Sequence, residues 1–135
     1  MSIAQICTRS GMVIMLLVAF FVATAAGAGS ASDASHQYDA TLTKMLASIQ
    51  SRSHDQFVEP GDERFKKGFS EKMFAELYQL LGQRMKQGYD ATFLTTLRQQ
   101  DYVVYIWKLA FKDEKDDYII RMAVKDGIVR GFVIR

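Results

Sequence analysis

Asp126-Gly127 joins two runs of alternating residues, YIIRMAVK and IVRGFVIR, and constrains the fold more than any other dipeptide in the chain. A two-residue Asp-Gly connection makes the tight turn whose twist matches paired strands, because both positions need the left-handed backbone that Gly and Asp tolerate best. It predicts an antiparallel hairpin with Lys125 opposite Ile128, Val124 opposite Val129, Met122 opposite Gly131 and Ile120 opposite Val133. A second connection, Asp113 to Asp116 read as a four-residue loop, pairs Phe111 with Tyr118, Leu109 with Ile120, Trp107 with Met122 and Tyr105 with Val124. The two turns, assigned independently, put the large odd-numbered residues of the Trp107 strand on the face that carries Ile120, Met122, Val124 and Val133. A slip of one residue would turn that whole set to the other side.

Strands are expected at about 90–98, 102–112, 117–125 and 128–135, and the period before them is helical. Tyr38, Leu42, Met45, Leu46 and Ile49 form one amphipathic stripe, capped by Asp39 or Thr41 and fading near Ser53. Pro60, the only proline, disfavours helical geometry at Glu59, and Asp62 can accept from the free amides of a new first turn. A second helical region is expected from about Asp62 to Lys86, with an internal break at Gly68-Phe69-Ser70, Ser70 capping the longer part and Gly88 ending it. The fold class is therefore α+β: two or three N-terminal helices packed on one face of a curved four-stranded antiparallel meander.

The N-terminus reads as an export signal. Met1–Arg9 is a short leader with one positive side chain, Met12–Val22 is an unbroken apolar run, and Ala23–Ala28 is built of small residues. Cleavage after Ala28 or Ala25 is expected, giving a signal peptide at 1–28, a flexible lead-in at 29–37, one domain at 38–135, and a secreted or periplasmic product. Left uncut, the same stretch would be the chain's only tie to a membrane. Cys7, the only cysteine, lies inside the signal, so the mature domain needs no disulfide and depends on its core. Removing the signal takes away one base, Arg9, and no acid, so 17 basic and 15 acidic residues become 16 and 15. That balance excludes nucleic acid as the main partner, because a phosphate-binding domain is normally markedly basic.

The element order, with FVEPGDERFKKGFSEKMFAEL before the strands and YIIRMAVKDGIVRGFVIR at the end, resembles the small secreted bacterial members of the nuclear transport factor 2-like, cystatin-like superfamily. The likeness covers roughly residues 38–135. It implies the fold above and leaves enzymes, ligand binders and interaction modules all open. Cystatin-type inhibition would require a Gln-x-Val-x-Gly hairpin and a Pro-Trp hairpin on strand turns. Gln56-Phe57-Val58-Glu59-Pro60-Gly61 has one residue too many and lies between helices, and Trp107 has no proline beside it. The segment is expected to punctuate helices.

An isomerase of this fold class would hold an Asp, His or Tyr acid/base between sheet and helices. On the register above, the inward face carries no carboxylate and no imidazole; its polar atoms belong to Tyr105, Tyr118 and Arg135. An unassisted tyrosine, with an ordinary pKa of about 10, is a poor base at neutral pH. His36 falls in the lead-in and His54 beside Asp55 where the first helix frays, both expected at the surface. With no third ligand in view, neither a metal nor any other cofactor is expected. Tyr105, Trp107, Tyr118, Met122, Phe74 and Tyr78 would line an inner cone that either holds a small apolar ligand or is simply filled.

The outer sheet face is expected to mix Ile106, Lys108, Ile119, Arg121, Arg130 and Phe132. Lys108 directly opposite Arg121 would be an unfavourable like-charge pair unless a partner's carboxylate answers it. Apolar residues rimmed by arginine and lysine have the composition of a contact surface. The leading expectation is thus a non-enzymatic exported interaction module, acting through this face as a homodimer or on a protein partner. The alternative is a small-molecule binder or isomerase-like enzyme using the inner cone, with Tyr105 as its polar handle.

Overall fold

A computed structural model of the protein describes residues 36–135. The expected signal, 1–28, and most of the lead-in, 29–35, lie outside the described residues. Four helices, α1 (Asp39–Ser51), α2 (His54–Val58), α3 (Glu63–Gly68) and α4 (Glu71–Lys86), precede four strands, β1 (Tyr89–Gln99), β2 (Tyr102–Phe111), β3 (Tyr118–Lys125) and β4 (Ile128–Ile134). The strands form one open, curved antiparallel sheet in the order β1-β2-β3-β4, with the helices on its inner face. No described helix is long and apolar enough to cross a membrane.

Three of the four described helices begin at a polar side-chain cap. Asp62 accepts from the Phe65 N–H and Ser70 from the Met73 N–H, as their positions predict. Helix α1 starts differently: Tyr38 occupies the cap position with no side-chain bond, and the Asp39 carboxylate is used elsewhere. Leu42, Met45, Leu46 and Ile49 are buried as their spacing requires.

Where the first helix was expected to fray, Arg52 turns left-handed (φ 59°) and a new short helix, α2, begins with the Ser53 hydroxyl accepting from the Gln56 N–H. Its purpose is Phe57, fully buried, whose ring lies 4.7 Å from Phe69, 5.4 Å from Phe74 and 5.2 Å from Phe132. Contrary to expectation, Glu59 keeps helical geometry (φ −49°, ψ −45°) before the proline; the Pro60 carbonyl then accepts from the Val129 N–H, so that Gly61 runs beside β4. A Cβ on Gly61 would fall 2.1 Å from the Phe65 ring, which explains a glycine there.

The Asp126-Gly127 turn is left-handed at both residues (φ 52° and 76°) and sets Lys125 against Ile128 and Val124 against Val129. One residue later the prediction fails. A bulge makes Arg130 an extra residue, so Ala123 opposes Gly131, Met122 opposes Phe132 and Ile120 opposes Ile134. Every side chain beyond it changes face: Phe132 and Ile134 pack inward, while Val133 is 42% exposed. The gain is physical, since Phe132 closes the Phe57 cluster and Arg130 reaches Asp62.

The β2–β3 loop is longer than expected, Lys112 to Asp117, so the register slips by two residues and the faces survive. Trp107 opposes Ile120, and Tyr105 opposes Met122. The expected Lys108–Arg121 pair does not form: Lys108 stands opposite Ile119 and lies 3.7 Å from Asp117, while Arg121 faces Ile106. The longer loop is held by Arg84, whose Nε and Nη2 bind the two Asp113 carboxylate oxygens at 2.7 and 2.9 Å.

Candidate functional site

Of the six residues expected to line an inner cone, Tyr105, Trp107, Met122, Phe74 and Tyr78 are buried and Tyr118 is half-buried. Their ring contacts fall into separate clusters. Tyr105 and Trp107 stack together (centroids 5.9 Å apart) beneath Tyr38 and Phe93. Phe74 belongs to the Phe57 cluster, and Tyr118 stands edge-on to Phe111 at the far end.

The polar atoms of this layer are answered. The Tyr105 hydroxyl donates to the Gln37 side-chain oxygen, Trp107 Nε1 donates to the Asp39 carboxylate (both 3.0 Å), and Arg52 donates to the Tyr78 hydroxyl at 2.8 Å. Burial, with Tyr38 nearby, raises the Tyr105 pKa above its ordinary value, which makes it a donor and a poorer base. The Arg52 hydrogen bond lowers that of Tyr78. Asp39 sits at the rim, its side chain 42% exposed and 3.0 Å from His36. Sequence reasoning assigned Asp39 to helix capping and missed its bond to the indole, because the two residues meet only when α1 lies across β2.

His54 was also misplaced by the sequence. It opens α2, is largely buried, and its Nε2 lies 2.6 Å from the Phe69 carbonyl with its ring edge against Phe74. It fastens α2 to the joint between α3 and α4. Among the described residues no three His, Cys, Asp or Glu side chains converge as a metal site would need.

The outer face keeps Ile106, Lys108, Ile119 and Arg121 together, with Ile106 buried and the others exposed. Two expected members leave it: Phe132 turns into the core and Arg130 turns aside at the bulge. Their places are taken by Val133, which the bulge turns out beside Ile119 and Arg121, and by Gly131, whose missing side chain would point toward the Ala123 methyl.

At one end of this face lies a cleft of about 690 Å³. Val104 and Ala123 floor it, the β1–β2 turn with Gln99, Gln100 and Tyr102 forms one wall, and Asp62, Arg64 and Arg130 form the other. Arg130 Nη1 binds Asp62, which also caps α3; the Phe65 amide and the guanidinium hold the Asp62 carboxyl below its ordinary pKa. Arg130 Nε is buried and finds no acceptor among the described residues. Leaving such a donor unanswered costs about 1–3 kcal/mol. No sequence signal marks this cleft, since it depends on the bulge.

The opposite end of β4 carries a different feature. Arg135 and Ile119 exchange both backbone hydrogen bonds, so by antiparallel alternation Gly131 and Val133 also face β3, and the N–H and C=O of Phe132 and Ile134 point out of the sheet. Beside them runs a groove of about 350 Å³ between β4 and α4, bordered by Met73, Leu77 and Leu80. Met73 is 46% and Leu80 50% exposed. No protein-family model matches the chain, and no curated protein matches it.

Proposed function

We propose that the protein is an exported, non-enzymatic binding module that assembles through the free edge of β4, extending its sheet into that of a second copy. The observation that carries this reading is the edge itself, Gly131-Phe132-Val133-Ile134, bare among the described residues, with outward backbone groups, no proline, no lysine and a largely apolar groove alongside. Edge strands are ordinarily blunted against such pairing. The far edge of this sheet is: β1 carries a bulge at Leu94 and the charged Asp90 and Arg98. Among the described residues, Pro60 and Gly61 cover the Val129 end of β4 alone.

A second copy fits better than an arbitrary strand because the edge is self-complementary. An antiparallel two-fold centred on Val133 lets Phe132 of each copy exchange hydrogen bonds with Ile134 of the other. Val133 then meets Val133 on the outer face, and Arg135 falls opposite Gly131, which has no side chain to resist it. The exposed Met73 and Leu80 of the two α4 helices come together beneath. The packing of the inner-cone residues on one another supports an interaction role over an inner-cone ligand or isomerase chemistry.

Native mass spectrometry of the chain from residue 29 tests this reading. A dimer is expected at micromolar concentration, and Val133→Lys, which sets like charges against each other at the two-fold, is expected to give a folded monomer. A wild-type monomer, or a Val133→Lys dimer, overturns it.

A further inference from the structure

We infer that the outer-face cleft at Arg130 is a binding site for a small organic acid, a carboxylate carried on an apolar body. The inference goes beyond assembly through the β4 edge and is independent of it, since the cleft is built from the bulged end of the strand. The chemistry follows from the way this protein satisfies its other anchored arginine. Arg84 presents the fork of Nε and Nη2, and Asp113 fills it with both oxygens at 2.7 and 2.9 Å, the bidentate geometry for which guanidinium and carboxylate are matched. In Arg130 the contact to Asp62 is made instead through Nη1, at the other side of the group. The equivalent fork is left with an Nε–H that is closed off from the surface and meets no acceptor among the described residues, so a carboxylate in the cleft takes both N–H groups by turning that side of the guanidinium outward.

The surroundings define the rest of the ligand. Arg64 stands in the same cleft and forms no ion pair among the described residues. With Asp62 already committed to Arg130, the cleft carries one uncompensated positive charge. The neighbouring Asp101 on the β1–β2 turn is paired to Lys125 at 3.2 Å and does not oppose an incoming anion. The floor, Val104 and Ala123, is apolar, and Gln99, Gln100 and Tyr102 offer amides and a phenol at the rim. The lining is mostly polar, with an apolar floor of two residues, and the volume lies inside the range of about 300–1,000 Å³ typical of small-molecule sites. A bare inorganic anion would use the arginines and waste the floor; a neutral apolar molecule would leave the guanidiniums unanswered.

Hexanoate, with hexanamide as its neutral match, tests the inference by NMR titration of the isotope-labelled chain from residue 29. Hexanoate is expected to bind saturably and to move the Arg130 Nε–H resonance and the Val104 and Ala123 methyls, and hexanamide to bind at least about tenfold more weakly. Arg130→Lys keeps the charge for Asp62 but removes the fork and is expected to weaken hexanoate at least about tenfold, as at other bidentate sites. Arg64→Gln, which touches no side-chain hydrogen bond among the described residues, is expected to weaken it severalfold. Equal binding of acid and amide, no saturation, binding unchanged in the two arginine variants, or shifts centred on Tyr105 and Trp107 would each overturn the inference. Repeating the titration on the Val133→Lys variant separates the two proposals, since loss of the dimer is expected to leave acid binding intact.

Discussion

Arg84 shows how far one side chain can reach across this fold. Its guanidinium lies 4.1 Å from the Phe111 ring centre and 5.4 Å from that of Tyr118, binds Asp113 bidentately and donates to the Asp116 carbonyl. It thereby ties the last turn of α4 to the β2–β3 loop. The bond from Arg84 holds the Asp113 carboxyl down from 3.8 to about 2. A carboxylate whose folded pKa is depressed contributes stability that is fully present above its unfolded value and is lost as pH falls through the folded one. Wild-type stability is therefore expected to decline between pH 3.8 and about 2, with Asp62 adding a decline of the same sign. Asp113→Asn is expected to lower stability at neutral pH and to flatten that acid limb, measured by urea unfolding at a series of pH values. A limb as steep as the wild type's would remove Asp113 as its source.

At the scale of the element, α2 was the least legible segment and is among the most consequential. A stretch rich in polar residues and ending in Pro-Gly reads as a connection, and a five-residue helix is too short for its period to show. His54 and Phe57 acquire their roles from partners 12 or more residues away in sequence: the Phe69 carbonyl, and the rings of Phe69, Phe74 and Phe132. Phe57→Ala is expected to cost about 3–5 kcal/mol, the usual loss for emptying a buried aromatic site. Leu80→Ala, half exposed on α4, is expected to cost less than about 1 kcal/mol in the monomeric Val133→Lys background, where its only loss is surface apolar contact. Chemical denaturation of both checks the contrast, and similar losses would show that α2 is not the keystone of the aromatic cluster. The strands, by comparison, were located to within two residues because alternation over seven to eleven positions is a strong signal.

At the scale of the whole molecule, one bulged residue decides which surfaces are available. Without it, Phe132 would lie on the outer face and Val133 in the core, and the surface read from the sequence would stand. With it, Arg130 is drawn into the cleft and the apolar edge strand is left with Val133 outward. If that edge pairs with a second copy, the thermal midpoint of the wild type is expected to rise with protein concentration while that of Val133→Lys stays constant, because association stabilises the folded state by mass action. Differential scanning calorimetry over a hundredfold concentration range reads this directly, and a concentration-independent wild-type midpoint would count against assembly.

The sequence by itself determined the α+β class, the strand positions, the caps at Asp62 and Ser70, and the inward face of β2 and β3, because these rest on local turn chemistry and on periods that persist over a whole element. It could not determine how far each register runs. A two-residue slip between β2 and β3 preserves every face and leaves no trace in the alternation, while the bulge at Arg130 is favoured by residues distant in the chain, Asp62 and Phe57. Tertiary packing alone decided those, since a side chain's choice of face is settled by what waits for it on either side.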